Sequence, residues 1–157
     1  MMRPIWRCAG GLSNAGHAGT SFMALPVTAR YAALLGLLHA ALALLVVRRR
    51  ARSGVSLGAG EDKGLYRAVR AHANFAEYVP LVLILIALGE GLRLSSVLLH
   101  GLGAGLVLAR VLHATGISRE PELGAARTGG MVLTMAVLIV ASIAVLGRAL
   151  TAVSVLG

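Results

Sequence analysis

The chain has 157 residues, of which 57% are hydrophobic and only 13% charged, with a mean hydropathy of +0.82. A soluble domain carries about one-quarter charged residues, so this composition points to an integral membrane protein, with no room beside four spans for a separate soluble catalytic module. A formal charge of +9 would suggest nucleic acid in a soluble chain, but here the basic residues sit at the ends of apolar runs, which reads as membrane orientation and not as nucleic-acid binding.

Residues 1–22, MMRPIWRCAGGLSNAGHAGTSF, contain Gly, Ser and Asn without a periodic apolar face and read as a disordered extension. They lack the continuous apolar stretch of a signal peptide, and Met23, where membrane-like sequence begins, is a candidate start. The single cysteine, Cys8, excludes an intramolecular disulfide, and no Cys/His spacing calls for a metal. Residues 23–157 then form one domain of four membrane helices.

The first predicted helix covers about 25–47, long enough to cross a hydrocarbon core of roughly 30 Å, and stops at RRRAR. SGVSLGAG, residues 53–60, reads as a flexible loop, and the acids of EDKG precede helix 2, where they suit its positive end.

Helix 2, about 65–90, runs from charge into an unbroken apolar stretch. Arg70, Asn74 and Glu77 fall within a sector of about 60° at 100° per residue, with Arg67 beside them. His72 points the other way and Tyr78 lies on the flank. The same stripe continues as Leu81, Ile84 and Leu88, so the polar patch is confined to one half of the span. An ionisable group at bilayer depth costs roughly 2.5 to 3.5 kcal/mol, so Arg70 and Glu77 require each other or a wet cavity. A structural ion pair and a binding site both satisfy that demand. Pro80 removes the helical partner of the Ala76 carbonyl and favours a bend there.

Helix 3 covers about 94–114. Gly101 and Gly105, four apart, either allow close helix approach or serve as apolar filler. Near its end Arg110 and His113 lie one turn apart on adjoining faces. A polar loop, TGISREPELGAAR, leads to helix 4 at about 128–150, with Arg127 and Thr128 where it begins. The loops between helices 1 and 2 and between helices 3 and 4, together with the helix edges beside them, hold most of the arginines, so both termini are expected outside the cytoplasm.

The run Arg-x-His-x-Asn-x-x-Glu-Tyr-x-Pro from Arg70 to Pro80, with ARVLHATGIS and the later ARTGG, resembles the MAPEG family, the membrane-associated proteins in eicosanoid and glutathione metabolism, and its small bacterial members in particular. The resemblance covers about residues 25–150. It implies a four-helix transmembrane bundle assembled as a homotrimer in a bacterial inner membrane, with glutathione as co-substrate bound between subunits at the cytoplasmic side. It also implies that Arg70, Asn74 and Glu77 contact glutathione, that Tyr78 contributes, and that Arg127 activates the thiol. His72 would reach the site of an adjacent subunit, as would a basic residue at the end of helix 1, best matched by Arg48 or Arg49. Many active members carry tyrosines where this chain has Ile117 and Met131, so those rings cannot help here.

Glutathione, an anion with one ammonium, needs several cations and a carboxylate. Arg70, Arg110 and Arg127 suit its carboxylates or thiolate, with His113 beside them; Glu77 suits the ammonium and Asn74 the peptide groups. Arg127 is the first choice for stabilising the thiolate and Arg110 the second. The expected function is a glutathione transferase or peroxidase acting on hydrophobic electrophiles or lipid hydroperoxides that arrive from the bilayer. The alternative is a non-catalytic scaffold or partner-binding protein of the same fold. A proton or solute pathway fits less well, because the stripe from Leu81 to Leu88 is wholly apolar.

Overall fold

The computed structural model describes residues 24–118 and 123–153; the extension read over residues 1–22 and the candidate start at Met23 lie outside them. Among the described residues there are four helices: α1 Pro26–Ser53, α2 Lys63–Gly91, α3 Ser96–Ser118 and α4 Gly124–Val153. With no strand among the described residues, the all-α four-helix bundle expected from the sequence is what forms. Each helix is long and apolar enough to cross a membrane; the shortest, α3, has 23 residues, roughly 35 Å of rise.

Local chemistry sets most of the helix ends. Pro26 stands in the first turn of α1, where its missing N–H costs nothing, and Gly54 closes the helix in the left-handed region at φ 67°. The acid expected to favour the start of α2 is Asp62, whose Oδ1 accepts from the N–H groups of Gly64 and Leu65 at 2.8 and 3.0 Å. A tight turn joins α2 to α3, with the Leu94 N–H donating to the Gly89 carbonyl at 2.9 Å and Arg93 at φ 60°.

Two boundaries differ from the sequence reading. α1 does not stop before RRRAR but runs through it to Ser53, because arginine is a good helix former and cations suit a helix C-terminus. Arg50 then folds the following loop back, its Nη1 donating to the carbonyls of Val55, Ser56 and Gly58, the last at 2.8 Å. α4 begins at Gly124, four residues before the expected start, so Arg127 lies within its first turn and donates its N–H to the Leu123 carbonyl at 3.0 Å. α2 runs without a break through Pro80 to Gly91.

α2 and α3 occupy the middle of the bundle. α1 packs on both from one side and α4 on both from the other, and α1 and α4 do not touch. Leu35, Phe75, Val82, Ile86, Leu106, Val137 and Ala141 interlock in the core. Outward residues are as apolar as the core: Leu37 is 73% exposed, Val97 84% and Ile143 66%, a surface suited to lipid and not to water. Burial on α4 falls on Gly130, Thr134, Val137 and Ala141, a stripe of small residues.

Small residues do bring α3 and α4 together, and of the pair singled out from the sequence Gly105 takes part, a Cβ there standing 3.2 Å from the Val137 side chain, while Gly101 does not. A Cβ at Gly101 would meet nothing within 4 Å, whereas one at Gly130 would stand 2.6 Å from the Ala109 carbonyl oxygen and the His113 nitrogen, and one at Gly116 would run into the Arg127 backbone. Close backbone approach matters here because lipid offers apolar side chains no reason to leave it; dispersion and hydrogen bonding must hold the helices.

Candidate functional site

The loop between α1 and α2 and the connection between α3 and α4 share one end of the bundle, and a cavity of about 390 Å³ opens there between α2, α3 and α4. α2 lines it with Tyr66, Arg67, Arg70 and Asn74, residues brought onto one side by the three- and four-residue spacing of a helix face. α3 adds His113 and Ile117, one turn apart. α4 adds Arg127, Thr128 and Met131 from its first two turns. The volume falls within the range of small-molecule sites.

The electrostatics favour an anion. Three arginines from two helices border one cavity, and both of those helices begin at this end, so their positive dipole ends reinforce the side chains. Arg127 is also held by its backbone. The His113 Nδ1 lies 3.2 Å from the Arg127 carbonyl oxygen; a carbonyl only accepts, so Nδ1 carries a proton and donates. With Gly116 packed against the same backbone, the origin of the Arg127 side chain is fixed on two sides.

Behind the cavity wall lies the largest fully buried side chain in the described chain, Arg110, at 1% exposure. Its Nη1 donates to Asn74 Oδ1 at 2.7 Å and its Nη2 to the hydroxyl of Thr134. The Tyr78 ring centroid lies 6.0 Å from the guanidinium carbon, on the outer limit of a cation–π contact. Arg110 therefore ties α2, α3 and α4 together from within and does not border the cavity, although the sequence placed it second for meeting the thiolate.

Of the residues singled out from the sequence, Arg70, Asn74, His113 and Arg127 meet at the cavity. Glu77 does not: it stands exposed farther along α2, and the two residues Arg70 and Glu77 do not form the ion pair weighed as a structural alternative. His72 faces away, as its helical phase requires, and stacks on His39 of α1 with ring centroids 4.6 Å apart. Arg48 is exposed near the end of α1, outside the cavity lining.

Ile117 and Met131, noted for bringing no tyrosine, do line the cavity and make that part of its wall apolar. Tyr66 and Thr134 were missed. Thr134 carried a signal nonetheless, as the lone hydroxyl in the run MVLTMAVLIV, where a polar group in a membrane helix calls for a partner.

Comparison with known proteins places this geometry. The sequence matches the MAPEG family over residues 28–147, a span that includes every residue lining the cavity. Inner membrane protein YecN of Escherichia coli strain K12 is 33% identical over 90 residues, covering 57% of this chain and 69% of its own length. The protein of the same name in Escherichia coli O6:H1 strain CFT073 aligns to the same extent. With the family match extending over most of the chain and four helices able to span a bilayer, this integral, multi-pass membrane protein belongs to the MAPEG family.

Proposed function

We propose that the chain is a membrane-embedded, glutathione-dependent transferase or peroxidase acting on hydrophobic electrophiles or lipid hydroperoxides. The observation that carries this reading is the meeting of Arg67, Arg70 and Arg127 with Asn74 and His113 around one cavity at the polar end of an otherwise apolar bundle. Membership of the MAPEG family supports a role in glutathione or eicosanoid metabolism.

In this reading the arginines receive the carboxylates and sulfur of glutathione. A thiol of ordinary pKa, about 8.5, is only about 3% ionised at pH 7. Lowering that pKa by two units, worth about 2.7 kcal/mol, makes the thiolate the main form. Arg127, rigidly based in the first turn of α4, supplies the positive charge. The thiolate then either forms an S–C bond as the electrophile's leaving group departs, or attacks a hydroperoxide O–O bond. The latter step gives an alcohol and a sulfenic acid, which a second glutathione reduces to disulfide and water. The apolar wall at Ile117 and Met131 faces the hydrophobic partner.

Glu77, His72 and Arg48 lie outside the cavity of one subunit, so their part in binding requires an adjacent copy, and a homotrimer with shared sites accommodates them. The arginine-rich end faces the cytoplasm, where glutathione is abundant, with both termini on the opposite side; a bacterial inner membrane agrees with the name of the YecN relatives, inner membrane proteins of Escherichia coli. Isothermal calorimetry of glutathione against the purified protein, in detergent and in lipid, tests the reading, and absence of binding in both refutes it.

The internal use of Arg110 favours a second reading, a non-catalytic scaffold or partner-binding protein in which the buried polar residues hold the helices together. Glutathione binding without turnover of any hydrophobic electrophile or hydroperoxide distinguishes it from the first.

A further inference from the structure

We infer that Thr134, acting through Arg110, fixes which end of the Asn74 amide faces the cavity, so that Asn74 meets its ligand only as a hydrogen-bond donor. The inference rests on the proposed reading of the cavity as a site for an anionic peptide thiol. It deepens that reading by naming two positioning residues, Thr134 and Arg110, and the ligand atom opposite Asn74: a carbonyl or carboxylate oxygen and not an ammonium or amide N–H.

The argument follows the hydrogens. The Thr134 hydroxyl has one, and it goes to the Gly130 carbonyl at 2.8 Å. Its oxygen is left as an acceptor, and Arg110 Nη2 donates to it. A guanidinium has donors and no acceptor, so the Asn74 atom 2.7 Å from Nη1 must be the amide oxygen. The opposite end, Nδ2, is then turned toward Met131, whose sulfur lies 3.9 Å away. Met131 lines the cavity beside Asn74, and a thioether is a weak acceptor that a ligand oxygen readily displaces.

The polarity cannot reverse. Turning the amide over would set its NH₂ against the guanidinium, two donors facing each other with no acceptor between them. Arg110 is 1% exposed and Thr134 0%, so water has no access to repair the mismatch, and in such surroundings an unmatched polar group is most costly. Arg110 therefore donates both ways, to the Thr134 oxygen whose hydrogen goes on to Gly130 and to the Asn74 oxygen, which leaves a fixed donor at the cavity wall.

The test titrates reduced glutathione into the full-length protein in detergent and in vesicles, and records melting temperatures, for wild type, Asn74→Asp, Thr134→Val and Thr134→Ser. Asn74→Asp keeps an oxygen for Arg110 while replacing the cavity-facing donor by an acceptor. It should melt at or above the wild-type temperature yet bind glutathione at least tenfold more weakly. Thr134→Val should weaken binding several-fold, and Thr134→Ser, which restores the hydroxyl, should return it to within twofold of wild type. Wild-type affinity in Asn74→Asp, or a Thr134→Ser variant as weak as Thr134→Val, overturns the inference; should Thr134→Val fail to fold, the Asp and Ser variants decide it. If wild type itself does not bind glutathione, the functional reading falls, and melting alone judges the hydrogen-bond chain: Asn74→Asp at or above wild type upholds it and a lower value overturns it.

Discussion

Glu90, near the end of α2, caps the first turn of α1 across more than sixty residues of sequence: its Oε1 accepts from the Val27 N–H at 2.8 Å, and its Oε2 accepts from both the N–H and the hydroxyl of Thr28, at 2.8 and 2.7 Å. Leu25, at the cap position, has no side chain able to do this. A carboxylate at a helix N-terminus satisfies orphan donors and complements the helix dipole together. Glu90→Ala should therefore lower the unfolding free energy by about 1–2 kcal/mol, with Glu90→Gln losing less because one acceptor survives. Thermal unfolding in detergent measures this. Glutathione affinity should hold in both variants, since Glu90 sits at the opposite end of the bundle from the cavity, and an unchanged melting temperature in Glu90→Ala removes the capping role.

Two of the cavity arginines, Arg70 on α2 and Arg127 on α4, should separate by function. Arg70 reaches the cavity from an exposed position on α2, and on the proposed reading it would give a charge-assisted hydrogen bond to a ligand carboxylate. Arg70→Ala should weaken glutathione by roughly 10- to 100-fold, the equivalent of about 1.5–3 kcal/mol. Arg127→Ala should instead reduce thiolate formation, followed by ultraviolet absorbance at saturating glutathione, more than it reduces binding. Equal loss of both quantities in Arg127→Ala contradicts the role given to that residue.

Gly130 offers a packing test with a built-in control. The atoms that a Cβ there would strike are the Ala109 carbonyl and the His113 backbone, which cannot rotate aside as a flexible side chain can. Gly130→Ala should push α3 from α4 at a cost of about 1–3 kcal/mol and weaken glutathione as well, because His113 and Arg127 are carried on those two helices. Gly101→Ala, with nothing within 4 Å of the new methyl, should keep or slightly raise the melting temperature. Melting curves of the two variants side by side decide the matter, and comparable losses in both would mean that the close approach is not where the geometry puts it.

What could be read in advance depended on range. The placement of Arg70 and Asn74 on one side of α2 followed from helical phase alone, and so did the opposite facing of His72, since both need only 100° per residue. The fold class followed from four long apolar runs. The Glu90 cap, the His39–His72 stack and the Arg110–Thr134 bond join residues from different helices, and no periodicity within one helix reports the register between two. Helix ends were missed for a related reason: RRRAR and GAAR look like loop by polarity, but polarity marks where the chain leaves lipid, not where its backbone hydrogen bonds stop. Glu77 shows the limit most plainly. Its phase matched Arg70, yet the helix rises two turns between them, and the cavity ends before that point is reached.

That position of Glu77 yields the last prediction. If its carboxylate takes part in binding from an exposed surface of α2, it does so by meeting the cavity of an adjacent subunit, and the site then needs Arg127 from one copy and Glu77 from another. Glu77→Ala and Arg127→Ala homo-oligomers should each bind glutathione poorly or fail to ionise it. When the two variants are co-expressed with different affinity tags and purified as mixed assemblies, one kind of interface pairs the intact Arg127 of the first variant with the intact Glu77 of the second. Those interfaces should regain thiolate formation, to a substoichiometric level set by their number per assembly. A site built within a single subunit cannot be repaired in this way, because every copy lacks one of the two groups; mixed assemblies that behave as the simple average of the two parents rule out a site shared between copies.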